Sequence, residues 1–157
     1  MTEEKETINS FLVGIFNGIL AREERAMADL FGRTLSIREI HVIDEAFDAA
    51  QRGENTMSEL SRRLGVTVGT LTVSVSTLER KGFLHRRRDE EDKRLVRILP
   101  SEKAGEVRKA HDAFHRRMVE AIADRLSGEQ LAALAASLRI LYDFFVKTGE
   151  NLTAEGS

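Results

Sequence analysis

A chain of 157 residues that is 41% hydrophobic and 32% charged is long enough to bury one core, and with no cysteine it does so without disulfides. The charge content, one proline and one tyrosine suit a helix-rich globular protein better than a disordered or all-β one. A net charge of -2 excludes a uniformly basic coat, so any contact with nucleic acid must come from a local patch.

The longest apolar stretch, Ile8 to Ala21, is interrupted by Asn9, Ser10 and Asn17 and is too short for a bilayer core of about 30 Å. It follows Glu3, Glu4, Lys5 and Glu6, not the basic start of a secretory signal, so a cytoplasmic protein without a membrane partner is expected. Within it Ile8, Phe11, Leu12, Ile15, Phe16, Ile19 and Leu20 recur at helical spacing and draw one wide apolar stripe. Gly14 and Gly18 lie on a neighbouring line, suited to close helix approach or a ligand, and equally to two tolerated helix glycines.

Ser36-x-x-Glu39 reads as a capping box opening a second helix, with Ile37, Ile40, Ile43, Ala46 and Phe47 inward. After the polar loop Gln51 to Asn55, a second box, Thr56-x-x-Glu59, opens a short helix that stops at Gly65. Thr67 caps a fourth helix with Leu71, Val75 and Leu78 inward, ending at Gly82. Phe83 to Arg88 and Arg94 to Leu99 read as strands around the turn Asp89 to Asp92. Pro100 closes this hairpin, and Ser101 caps a long fifth helix carrying Val107, Ala110, Phe114, Met118, Ala121 and Ile122. Ser127-x-x-Gln130 opens the last helix, with Leu131, Leu134, Leu138, Leu141, Tyr142 and Phe145 at helical spacing, and fraying is expected after Gly149.

The expected fold is mostly α with a small β-wing: a winged helix-turn-helix with additional N- and C-terminal dimerisation helices. Residues 1–34 are assigned to an N-terminal dimerisation helix, 35–100 to a DNA-binding winged region and 101–157 to C-terminal dimerisation helices, in one compact domain overall. The outer helices carry more apolar surface than one small winged lobe needs, which points to a homodimer; the alternative is an intramolecular bundle.

Between Arg80 and Arg97 eight basic residues face four acidic ones, a local excess of +4. Charged hairpins are usually just solvated, but this one follows a helix-turn-helix. A recognition helix reads the major groove through its N-terminal residues. Thr67, Gly69, Thr70, Thr72 and Ser76 offer hydroxyls or close approach, and Val73 suits a thymine methyl. No Arg or Lys lies from Thr67 to Thr77, so an A·T-rich operator is expected. Arg94 is assigned to a narrow minor groove with Asp92 orienting it, and Arg86, Arg87 and Lys93 to phosphates, the other acidic side chains at the tip facing away.

This order of elements, with Asp92-Lys93-Arg94 at the wing, resembles the multiple-antibiotic-resistance-regulator (MarR) family over almost the whole chain. The resemblance implies a homodimeric transcription factor on a palindromic operator, with ligands between its dimerisation and DNA-binding regions. Leu35-Ser-Ile-Arg-Glu-Ile-His41, Gly69-Thr-Leu-Thr-Val73, Glu90-Glu-Asp-Lys-Arg94 and His111-Asp-Ala-Phe-His-Arg-Arg-Met-Val119 are similar to its fatty-acid-biosynthesis repressor branch. That likeness implies acyl-acyl-carrier-protein as corepressor, with Phe16, Phe114, Met118 and Ile122 as candidate lining of an acyl tunnel; aromatic and Met residues at this spacing are otherwise core. Val73, where many relatives carry Arg or another polar residue, and Pro100-Ser101, where they carry Leu-Thr, depart from the pattern.

His111 and His115, four apart, share a helix face at metal-ligand spacing, and His41 and Glu24 are candidates to complete a zinc site. The competing reading is three histidines hydrogen-bonded within a helix junction. No cofactor is required by the leading reading. His111-Asp-Ala-Phe-His115 differs by one residue from the metalloprotease signature His-Glu-x-x-His, yet Asp is shorter than the general-base Glu and no third ligand follows, so the chain is read as not an enzyme. A protein-binding winged-helix module is the remaining alternative. Salt separates it from DNA binding, since only phosphate contacts release counterions.

Overall fold

The computed structural model describes residues 2–148, apart from the side chains of 16 and 146–148. Helix α1 spans Glu3–Phe31 and passes through a short 3-10 turn, Gly32–Thr34, to α2 (Ile37–Arg52), α3 (Met57–Leu64) and α4 (Val68–Arg80). Strands β1 (Leu84–Arg88) and β2 (Val96–Pro100) form the wing, and α5 (Glu102–Ala123) and α6 (Gly128–Thr148) follow. The residues after Gly149 for which fraying is expected lie outside the described ones.

Local chemistry sets most of these boundaries. At Ser36 the backbone N–H donates to Glu39 Oε2 at 2.8 Å and the hydroxyl accepts from the Glu39 amide at 3.3 Å. Thr56 and Glu59 repeat the arrangement at 2.9 and 3.4 Å. Gly65 ends α3 at φ 64°, a left-handed turn that side-chain-bearing residues rarely adopt, and this redirects the chain into α4. Helix α1 runs well beyond the apolar stripe, because Ala21 to Ala28 consists of Ala, Arg, Glu and Met, all good helix formers.

The wing corrects the expected strand limits. Antiparallel pairing runs from Leu84↔Pro100 to Arg88↔Val96, so Phe83 precedes β1 and Pro100 belongs to β2 instead of closing the hairpin beyond it. Arg94 and Leu95 lie in the tip loop, which is closed by Asp89 N–H to the Leu95 carbonyl at 3.0 Å and Leu95 N–H to the Asp92 carbonyl at 2.9 Å. Ser101 then caps α5, accepting from the Ala104 amide at 3.3 Å while its hydroxyl donates to the Gly82 carbonyl at 2.8 Å.

Two compact units divide the chain, Met1–Phe114 and His115–Ser157. The first joins α1, the winged region and the start of α5, which the sequence reading distributes over three segments. Its core takes Ile40, Ile43 and Ala46 from α2, Leu60 from α3, Leu71, Val75 and Leu78 from α4, Ile98 from β2 and Val107 from α5, none more than 1% exposed. Each large apolar side chain buried this way contributes roughly 1.5–3 kcal/mol. Ile37 and Phe47, also expected inward, pack partly buried against that cluster.

The second unit holds the end of α5 and all of α6. Ser127 and Gln130 cap α6 reciprocally at 2.9 and 3.2 Å. Its apolar residues Leu131, Leu134, Leu138, Tyr142 and Phe145 are all exposed. No helix among the described residues is long and apolar enough to cross a membrane.

Candidate nucleic-acid interface

Burial of Leu71, Val75 and Leu78 fixes the rotation of α4, and the crest opposite them carries Gly69, Val73 and Ser76. Thr67 caps the helix, its hydroxyl oxygen accepting from the Thr70 amide at 3.1 Å and lying 2.9 Å from the Thr70 hydroxyl. Thr72 is exposed, with its hydroxyl donating to the Val68 carbonyl at 2.7 Å and its lone pairs left for an outside donor. Val73 is 69% exposed, an unusual position for a β-branched apolar residue that no neighbour covers.

The tip of the wing presents Arg94 outward. Arg94 is 92% exposed, yet its Nε lies 3.2 Å from Asp92 Oδ1, which also accepts the Arg94 backbone N–H at 3.0 Å. The carboxylate thus aims the guanidinium without covering it. Arg87 and Lys93 are exposed beside it. Arg86 differs from the expected phosphate contact: Glu79 pairs with its guanidinium and accepts its backbone N–H at 2.9 Å, and the guanidinium donates to Ser76 Oγ at 3.2 Å. Both Ser76 and Arg86 therefore join the recognition helix to the wing.

Sequence reasoning missed the residues that hold the wing in place. Asp89 does not merely face away: its Oδ1 accepts the amides of Glu91 at 2.9 Å and Asp92 at 3.0 Å, and its Oδ2 accepts Arg97 Nε at 2.8 Å. The Asp92 amide, the Arg97 guanidinium and the Glu91 amide hold its pKa down to about 2. An Asp accepting amides two and three residues ahead is a turn signal that was available in the sequence. Arg97 also donates to the Gly53 carbonyl at 2.8 Å. Buried Asn55 donates its side-chain amide to the Ile98 carbonyl at 2.8 Å and accepts the Ile98 N–H on its own carbonyl at 2.8 Å. Together they fasten β2 to the loop between α2 and α3.

The histidines resolve differently. Glu24 is exposed, and the carboxylate at the histidines is its neighbour Glu23, 2% exposed, which hydrogen-bonds to His111 Nε2 and lies 3.6 Å from His41 Nε2. One residue is about 100° of helix rotation, enough to exchange the buried face for the exposed one. Asp44 Oδ2 takes the other His111 nitrogen at 2.5 Å. Burial disfavours the charged ring, but the hydrogen bonds and charges of Asp44 and Glu23 outweigh it and raise the His111 pKa above its ordinary value. With both ring nitrogens hydrogen-bonded, a metal at His111 would have to replace one of these hydrogen bonds. His115 lies half-buried in the second unit.

The candidate tunnel residues are divided as well. Phe114 packs against the core of the first unit, Met118 is half-buried in the second, Ile122 is 47% exposed, and the Phe16 side chain lies outside the described ones.

Residues 36–96 match the MarR family. A crystal structure of Streptococcus pneumoniae FabT in complex with DNA is similar at TM-score 0.81 and 36% identity, over 91% of this chain and 98% of that one. The transcriptional regulator BldR from Sulfolobus solfataricus aligns at TM-score 0.60 and 25% identity, over 90% and 99% of the two chains. A MarR family protein from Bacillus stearothermophilus shares the fold at TM-score 0.72 and 21% identity, over 93% and 99%. No curated protein matches the chain by sequence.

Proposed function

Because this chain belongs to the MarR family and is a transcription regulator, not an enzyme, we propose that it represses genes by binding a palindromic, A·T-rich operator as a homodimer. The carrying observation is the pairing of an uncovered recognition crest, Gly69 and Val73, with an uncovered Arg94 that Asp92 holds at the wing tip. Helix α4 lies in the major groove, where Thr67, Thr70 and Thr72 bond to bases or phosphates and Val73 meets a thymine methyl. Arg94 enters the minor groove, narrow and electronegative in A·T-rich sequence, and Arg87 and Lys93 hold phosphates. Two copies place two such helices about one DNA turn, roughly 34 Å, apart.

The dimer reading is supported by the apolar faces that each unit leaves uncovered, Ile8 and Phe11 on α1 and Leu134, Leu138 and Phe145 on α6. The fatty-acid reading is supported by 36% identity to FabT over nearly its full length, with acyl-acyl-carrier-protein as corepressor and Phe16, Phe114, Met118 and Ile122 against the acyl chain. Enrichment of sheared genomic DNA on the purified protein, with and without long-chain acyl carrier protein, tests both levels. An A·T-rich palindrome beside lipid-synthesis genes, lost with Arg94→Ala, is the expected result. A palindrome elsewhere removes the fatty-acid assignment, and salt-insensitive binding to protein in place of DNA removes the regulator mechanism.

A further inference from the structure

A helix lying in the major groove has a phosphate strand on each side, and only one side of α4 is served by the wing. Ser76, through its contact with Arg86, marks the wing-facing shoulder. Thr70 and Ser74 form the opposite shoulder, where they border a groove of about 260 Å³ whose other wall is the start of α2. That wall carries Arg38. It is exposed, and it makes no hydrogen bond or ion pair among the described residues. The neighbouring acid that would otherwise take it, Glu39, is occupied by Lys81 Nζ at 2.7 Å and by the Ser36 cap.

From this placement we infer that Arg38 is a phosphate contact on the flank of the recognition helix opposite the wing. The inference rests on the DNA-binding reading above and adds to it a residue on α2. Helix α4 itself carries no cation from Val68 to Leu78, and Arg38 is the arginine that the groove beside Thr70 and Ser74 offers to that strand. A guanidinium at this point contacts a phosphate as a charged donor and carries no base information. The side chain projects from the second residue of α2, apart from the capping box and the buried core residues Ile40 and Ile43, so its loss leaves both in place.

The test measures binding of duplexes selected from a random pool by the wild-type protein, as a function of salt, for wild type, Arg38→Ala and Arg38→Lys. The expected result is that Arg38→Ala reduces the slope of log affinity against log salt by about 1, with unchanged ranking of base substitutions in the duplex. Arg38→Lys keeps the slope. Ethylation interference places the lost contact on a phosphate other than the ones lost with Arg94→Ala. A wild-type slope for Arg38→Ala, or a changed base ranking, overturns the assignment while leaving the DNA-binding reading intact. A wild-type protein that selects no duplex overturns both.

Discussion

The winged region and the outer helices distribute their apolar residues in opposite ways. In α2 and α4 the residues at helical spacing are the buried ones, with Ile40, Ile43, Val75 and Leu78 all at 0% exposure, and the exposed face is polar or functional. In α6 the same spacing produces Leu131, Leu134 and Leu138 at 37 to 46% exposure, and among the described side chains of α1 the buried ones are Glu23 and Met27. A periodic stripe therefore predicts that a face will be covered, without saying by which chain. For the winged region the cover is intramolecular; for α6 it has to come from outside the unit, and a second copy is the simplest source.

The most disruptive way to break this contrast is Leu138→Glu. If a two-fold partner covers α6, each copy loses the burial of a leucine, about 1.5–3 kcal/mol, and gains a carboxylate in an apolar seam. Sedimentation is expected to show monomers with intact helicity and with DNA binding lost; an unchanged oligomeric state would mean that something other than a second copy covers α6.

Asn55→Ala probes the winged region's own interior. It leaves the buried Ile98 carbonyl without the side-chain donor now at 2.8 Å, and unfolding in denaturant is expected to register a loss of about 1–3 kcal/mol. A loss confined to DNA affinity would instead limit Asn55 to aiming the wing. Arg94→Ala, on a fully solvated side chain, is expected to leave the melting temperature unchanged and lower the salt slope of DNA binding by about 1.

The smallest expected effect is a pH dependence from the junction of α1, α2 and α5. The folded pKa of His111 lies above its unfolded value of about 6.5, so its stabilisation is complete below that value and is lost as pH rises through the folded pKa. Denaturation midpoints should fall as pH is raised through this window, and His111→Gln should flatten the trend. A midpoint that rises over the same window would mean the ring is held neutral.

What could be read in advance was short-range. Ser36 with Glu39, Thr56 with Glu59 and Ser127 with Gln130 are each three residues apart, and all of these caps form as their spacing suggests. So do the inward faces of α2 and α4, because 3.6 residues per turn converts spacing directly into a face. The Asp92–Arg94 pair is equally local.

Long-range contacts decided the rest. Arg97 reaches Gly53 across 44 residues and Glu23 reaches His111 across 88, separations over which no periodicity carries information. Choosing Glu23 over Glu24 required the rotation of α1 against α2 and α5, which its apolar stripe, ending at Leu20, does not specify. The sequence by itself determined which segments are helices, where they are capped and which face of each is apolar, since these follow from neighbours within one turn. Only the tertiary structure decided which charges are tied to distant segments, as Glu23, Asp44 and Arg97 are, and which are left without such a tie, as Arg38 is among the described residues. That division depends on what distant segments bring within hydrogen-bonding reach.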